Sequence, residues 1–215
     1  MIIDHTHPEY LRLANGDFNN GAYHYSKEIV KNIIPLVNTD RNWMTMNIPN
    51  VGANHSIVFI HSNQEFGQYE WLSNYKDLIL VCSQIKTCLA MAKYGRTIYL
   101  PLSVDVEGVK KYSHVEKDRQ TAYVGRRGKI KNIEMPSNID YICNKPREEL
   151  LTEMAHYLNV YAVGRCAIEA KILDCNILPY DPRYPKPKLW KILDNKEAAI
   201  ILNNKLKEMK NETRN

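Results

Sequence analysis

A short basic turn carries the residue types that bind phosphate groups. It follows a β-rich run at residues 121–124 and reads Gly125-Arg126-Arg127-Gly128-Lys129. The glycines allow a ligand to approach the backbone closely, and the basic side chains can clamp phosphate oxygens. A basic surface turn has the same composition, so the segment alone leaves both interpretations open.

A second polar group lies at the start of a predicted helix, residues 166–173. Arg165 follows Gly164 there, and a helix N-terminus favours anions, so Arg165 either reaches the same phosphates or caps the helix at the surface. Glu169 lies one turn further on. Its carboxylate can accept two hydrogen bonds, which suits the paired hydroxyls of a ribose, whereas the alternative is a surface ion pair with Lys171.

Further candidates lie at three places in the first half of the chain. His61 follows an apolar run at residues 57–60, where it is either a functional side chain or an ordinary histidine at a strand end. Glu65 is a candidate base for a hydroxyl group. Asn20 and Gly21 precede a helix and form an Asn-Gly turn, a type that is common without any ligand.

The sequence predicts no metal site. Asp105-Val106-Glu107 superficially resembles an acidic metal triplet but lies between the halves, and His5-Thr6-His7 has no identifiable carboxylate or cysteine partner. The chain contains no P-loop and no G-x-G-x-x-G motif.

Short β-rich runs alternate with amphipathic segments along the chain. Strands are predicted at residues 10–14, 43–46, 56–60, 78–82, 97–100, 121–124, 139–142, 159–163 and 176–178. Helices are predicted at residues 22–34, 65–74, 146–157 and 166–173 and in the tail 188–212, and Pro146 starts the helix at 146–157. One more helix is predicted from an N-cap at Ser83 to about Lys93, with Gly95 as its C-terminal cap. This alternation predicts an α/β protein with two small Rossmann-like halves, mainly parallel sheets and a C-terminal helix. Ligands then bind at the carboxyl ends of the strands.

The charged segment at residues 105–119 predicts the division into domains. It contains few apolar residues, which is typical of a linker or a surface helix. We therefore expect a first half at 1–105, a crossing at 106–119 and a second half at 120–215.

Bulk composition narrows the class of protein. Apolar residues make up 44% and charged residues 25%, as in ordinary globular domains. The net charge of +5 suits a phosphate-bearing ligand but is too small to indicate nucleic-acid binding by itself. Five cysteines without a close C-x-x-C pair, and no apparent signal peptide or membrane span, predict a cytoplasmic protein without an integral membrane segment.

Residues 139–181 resemble the C-terminal core of the GT-B glycosyltransferases in the order and spacing of their motifs. The matching pieces are Pro146-Arg147-Glu148-Glu149-Leu150, Asn159-Val160-Tyr161-Ala162-Val163, Ile168-Glu169-Ala170-Lys171 and Ile177-Leu178-Pro179-Tyr180-Asp181. Residues 122–129 look like the strand, glycine and arginine that open the family's nucleotide-binding half. Residues 100–105 look like its crossing motif, with Ser103 in place of a glycine. The resemblance is strongest over residues 121–181.

The resemblance implies a glycosyltransferase that moves a sugar from a nucleotide-sugar donor to a hydroxyl, without a metal or a separate cofactor. It implies that the donor is bound by Asn20, Gly21, Gly125, Arg126, Arg127, Lys129, Asn144, Arg165 and Glu169. It also places His61 and Glu65 near the chemistry. The acceptor is open among a saccharide, a lipid, a protein and a modified nucleic acid, and the oligomeric state is open as well.

One departure from the family keeps an alternative function in view. Retaining members carry a pair of glutamates; Glu169 matches the second, but Tyr161 stands where the first would fall and the loop between them is missing. The alternative is a nucleotide or nucleotide-sugar binding protein without catalysis. A glycosyltransferase acting on modified DNA bases is a further alternative, and it predicts strongly salt-dependent DNA binding.

Overall fold

The computed structural model describes residues 21–45, 54–61, 66–125, 135–179, 186–189 and 191–212. The chain divides into two compact units. The first unit comprises residues 1–101 together with 195–215, and the second comprises residues 102–194.

The first unit is built on a parallel sheet with the strand order β1-β2-β3-β4. Its strands are β1 (Asn42–Met44), β2 (Ser56–Ile60), β3 (Ile79–Cys82) and β4 (Arg96–Tyr99). Every residue of β2 and β3 is buried, as expected for apolar strands covered on both faces. The predicted strand at 56–60 is therefore confirmed at both ends.

Helical segments connect these strands. Helix α1 (Gly21–Glu28) continues through a π-helical turn (Ile29–Ile33) into a 3₁₀ turn (Ile34–Leu36), which agrees with the predicted helix at 22–34. A 3₁₀ helix (Phe66–Asn74) precedes β3, and helix α2 (Ile85–Met91) follows it.

Both predicted caps of α2 are wrong. Gln84, not Ser83, is the N-cap residue, and it has an extended backbone, so the chain uses one more residue to turn out of β3. The helix ends at Met91, before Gly95. A side chain at Gly95 would place its Cβ 2.7 Å from the Leu78 carbonyl oxygen. Gly95 therefore allows two backbone segments to approach at the start of β4.

The second unit contains the other parallel sheet, with the strand order β6-β5-β7-β8. Its strands are β5 (Arg119–Val124), β6 (Asp140–Ile142), β7 (Tyr157–Tyr161) and β8 (Asn176–Leu178). Helices α4 (Arg147–Ala155) and α5 (Arg165–Ile172) pack with the sheet around a buried apolar core. The predicted α/β class with two parallel sheets is confirmed.

Tyr157 shifts one predicted boundary. It was expected to end a helix, but it begins β7, two residues before the predicted strand. Its buried hydroxyl donates to Asp140 Oδ2 at 2.9 Å, and Arg119 Nη1 donates to that hydroxyl at 3.3 Å. These partners lie at the starts of β6 and β5, so they hold Tyr157 in the sheet.

The charged segment at 105–119 differs from the predicted crossing between halves. Short helix α3 (Val106–Lys110) starts at Asp105, whose side chain accepts a hydrogen bond from the Gly108 amide at 2.9 Å. Val104 and Val109 are buried in the core of the second unit. This burial makes residues 106–119 part of a folded unit.

The C-terminal helix α6 (Asn195–Glu212) belongs to the first unit, whereas the sequence-based boundary placed it with the second half. Its buried face includes Ala198, Leu202 and Leu206. The Asn203 amide donates to the Leu36 carbonyl at 2.7 Å, and its Oδ1 accepts from the Asn38 amide at 2.9 Å. These contacts join the helix to the turn that follows α1.

Candidate functional site

Three neighbouring strands of the second sheet are each followed, within one to three residues, by a residue with positive φ. Gly125 follows β5 with φ 152°, Asn144 comes after β6 with φ 56°, and Gly164 comes after β7 with φ 62°. The Gly125 amide donates to the Ile142 carbonyl at 3.2 Å, which holds the ends of β5 and β6 together. In open α/β sheets ligands bind at this carboxyl edge, so we take it as the candidate site.

A buried carboxylate organises two arginines at this edge. Glu169 is 1% exposed, and its Oε1 accepts hydrogen bonds from Arg147 Nη1 at 2.5 Å and Arg165 Nε at 2.6 Å. Arg147 is the first residue of α4, and Arg165 is the first residue of α5. We call Arg147, Arg165 and Glu169 the arginine–glutamate triad.

The triad keeps Glu169 ionised. Burial raises the pKa of the Glu169 carboxyl, but the positive charges and hydrogen bonds of Arg165 and Arg147 outweigh burial and lower it below its ordinary value. With Glu169 ionised and both arginines charged, the triad carries a net charge of about +1.

Gly164 leaves open space at the start of α5. It has φ 62° and ψ −134°, a conformation that only glycine adopts readily. Among the residues that the structure describes, none has an atom within 4 Å of a Cβ added at Gly164. Gly125 and Gly95 differ from Gly164, because a Cβ at Gly125 would lie 2.9 Å from the Tyr123 hydroxyl and one at Gly95 would lie 2.7 Å from the Leu78 carbonyl oxygen. The open space lies where the positive end of the α5 dipole favours negative charge.

The structure brings together part of the predicted donor site. Gly125, Asn144, Arg165 and Glu169 all belong to the second unit, and Asn144 is exposed. Arg126, Arg127, Lys129, Asn20 and Glu65 lie outside the described residues, and Gly21 is the first residue of α1.

Glu169 lacks the surface surroundings that one of its two interpretations suggested. The alternative of a surface pair with Lys171 is wrong, because the side chain is buried and binds arginines. The ribose role stays a prediction. In the structure, Oε1 of Glu169 already accepts from two guanidinium groups.

Sequence reasoning missed Arg147 as a functional residue. It was recognised only as part of a helix motif, and its partner Glu169 is far away along the chain. Arg165 and Glu169 are four residues apart on one helix, a spacing that predicts an ion pair. Arg147, by contrast, becomes visible only when α4 and α5 are placed side by side.

His61 lies at the carboxyl end of β2 in the first unit. Its Nε2 contacts the Thr45 carbonyl oxygen, which also accepts from Ser26 Oγ at 2.7 Å. A carbonyl only accepts hydrogen bonds, so Nε2 must carry the hydrogen. The Tyr25 ring meets the imidazole edge-on at 5.6 Å between ring centroids. These contacts hold the His61 ring in one orientation, and its catalytic role stays a prediction.

A charged cluster lies at the opposite, amino edge of the first sheet. Asp77 accepts two hydrogen bonds from Arg41 Nη2 at 2.8 Å and contacts His55 Nδ1 at 2.6 Å. The adjoining cavity of about 190 Å³ also touches Arg96 and Lys210. This volume is below the roughly 300–1,000 Å³ of typical ligand pockets, so we interpret the cluster as structural.

The acidic triplet at 105–107 serves the local helix. Asp105 caps α3, and Glu107 pairs with Lys110 at 3.0 Å. Within the described parts of the chain, no group of three or more His, Cys, Asp and Glu residues is placed to hold a metal ion.

Comparisons of the chain with protein-family models, with curated proteins and with solved structures find no match. Among the helices that the structure describes, none is both long and apolar enough to span a membrane.

Proposed function

We propose that the protein is a GT-B-type glycosyltransferase whose second unit binds the diphosphate of a nucleotide-sugar donor at the carboxyl edge of its sheet. The observation that carries this proposal is the arginine–glutamate triad beside the open start of α5. The motif resemblance over residues 121–181 supplies the family.

The triad suits a diphosphate because it holds cationic donors in place. Arg165 is 8% exposed and Arg147 is 21% exposed, so both guanidinium groups are largely shielded from water. Charge-assisted hydrogen bonds are stronger in such surroundings than at an open surface. Positive charge fixed before the ligand arrives stabilises the negative charge that develops on a departing diphosphate.

Within this proposal Glu169 is a positioning residue that acts through the arginines. Both arginines donate to its Oε1, so the carboxylate holds Arg147 and Arg165 next to each other. The glycine-rich basic turn after β5 supplies the remaining phosphate contacts, as the sequence predicts. His61 and Glu65 retain their predicted roles in sugar transfer.

Titration of the purified chain with UDP, GDP, ADP and dTDP and their glucose conjugates tests the proposal. A ligand that binds only the folded state raises the unfolding midpoint. We expect one nucleotide family to raise it, with the shift lost in Arg147→Ala and Arg165→Ala. Lys111→Ala removes an exposed cation from the same unit and should leave the shift unchanged. No shift with any nucleotide at millimolar concentration would rule out the donor site.

A specific feature of β7 favours a second candidate, a nucleotide-sugar binding protein without catalysis. Tyr161 ends β7, and only Ala162, Val163 and Gly164 separate it from α5. The connection that carries the first glutamate in retaining relatives is therefore absent. Release of free sugar from the bound donor, followed over hours, distinguishes an enzyme from a binding protein.

A further inference from the structure

Helix α2 exposes a stripe of apolar side chains. Ile85 is 62% exposed and Leu89 is 75% exposed, whereas Cys88 and Met91 on the other side of the helix are buried. Residues four apart lie on one helix face, so Ile85 and Leu89 are neighbours. Ala92 is also exposed and keeps helical dihedral angles, which extends the stripe by a turn. Single exposed apolar residues are common on proteins, but a continuous stripe indicates a contact surface.

The charged residues in the stretch of sequence that contains α2 are all positive. Lys86 and Lys93 are exposed beside the stripe, and the sequence contains no Asp or Glu between Leu78 and Val104. Arg96, the other cation of this segment, pairs with Asp77 at 3.3 Å. Lysine stems can lie along an apolar surface while their ammonium groups reach a polar layer. We call Ile85, Leu89, Ala92, Lys86 and Lys93 the α2 face.

We propose that the α2 face docks on an anionic lipid surface. An apolar stripe flanked by lysines is the pattern of helices that lie in the interface of a bilayer. The apolar side chains enter the boundary between headgroups and acyl chains, and the lysines contact the negative headgroups. The apolar side chains and the lysines of the α2 face thus each contact a part of the lipid surface that suits them.

Two other occupants fit the face less well. A second copy of the chain, related by a two-fold axis, would place lysines against lysines, which is unfavourable. A stable protein partner usually buries about 800 Å² on each side, much more than two large side chains on a helix of seven residues provide. A lipid surface requires no such area, because each inserted side chain contributes separately.

Cosedimentation of the full chain with lipid vesicles tests the proposal. We expect binding to vesicles of phosphatidylcholine with phosphatidylserine, and much weaker binding to phosphatidylcholine alone or at high salt. Leu89→Glu and Lys86→Glu should each weaken the partition constant roughly tenfold. Ile200→Glu and Lys207→Glu make the same changes at exposed positions of α6 and should leave it unchanged.

The variants change exposed side chains, so they should unfold at the same temperature as the wild type, which a thermal scan checks. Absence of binding to anionic vesicles would overturn the proposal, as would equal losses in the α2 and α6 variants. Light scattering tests whether the face binds a second copy of the chain instead. A wild-type protein that does not bind vesicles but forms a dimer, which Leu89→Glu dissociates, would assign the face to a second copy.

Discussion

Replacing Glu169 by glutamine tests the arginine–glutamate triad directly. The substitution keeps the size of the side chain but removes the negative charge that compensates Arg147 and Arg165. Removing one partner of a buried ion pair typically costs about 3–5 kcal/mol, because the other charge is left in a low-dielectric environment. Arg147 is partly open to solvent, so we expect the lower end of this range, about 3 kcal/mol.

Chemical denaturation and a thermal scan measure this loss. For a chain of this length, about 3 kcal/mol corresponds to a drop of about 6–12 °C in the unfolding midpoint. Glu148→Gln is the matched control: it makes the same substitution at an exposed position of α4 and should stay within about 0.5 kcal/mol of the wild type. Equal stabilities of the two variants would refute the interpretation of the triad.

The pH dependence of the same variants provides a second check. The pKa of Glu169 is lowered in the folded state, so its stabilising contribution is present above the ordinary carboxyl pKa and is lost as the pH falls through the folded value. Below about pH 4.5, the free energy of unfolding of Glu169→Gln should therefore fall less steeply with decreasing pH than that of the wild type. If the free energies of unfolding of wild type and variant fell in parallel with decreasing pH, this expectation would be contradicted.

Three further changes test other parts of the fold. Burial raises the pKa of Asp77, but the hydrogen bonds and charges of Arg41 and His55 outweigh burial and lower the pKa to about 2. The contribution of Asp77 to folding stability is therefore lost as the pH falls from about 4 toward 2. Because its side chain is 44% exposed, we expect Asp77→Asn to lose only about 1 kcal/mol at pH 7, measured by urea denaturation; an unchanged acid transition would contradict this. Gly95→Ala should destabilise the first unit by about 1–3 kcal/mol in the same assay, since its Cβ would meet backbone, and a neutral result would show that the strand shifts without cost. Gly164→Ala should cost about 1–3 kcal/mol from backbone strain alone, and it should also weaken any nucleotide-induced shift in the unfolding midpoint.

The local sequence was sufficient for the elements that depend on short-range patterns. The strands at 56–60 and 176–178 agree with the structure at both ends. Each begins with a small polar residue, Ser56 or Asn176, and continues as a short apolar run. The parallel arrangement of both sheets also followed from the alternation of strands and helices. Arg165 and Glu169 lie on the same helix, so their pairing could be read from their spacing alone.

Tertiary structure decided what depends on partners distant in the sequence. Tyr157 joins β7 because Asp140 and Arg119 bind its hydroxyl, although the preceding helix pattern runs into it. Helix α6 belongs to the first unit because it contacts the π-helical and 3₁₀ turns after α1, where Asn203 hydrogen-bonds the Leu36 carbonyl. No local signal in the sequence records that contact. Arg147 enters the candidate site for the same reason: a buried carboxylate must be compensated by whichever cations the packing of α4 and α5 brings within reach.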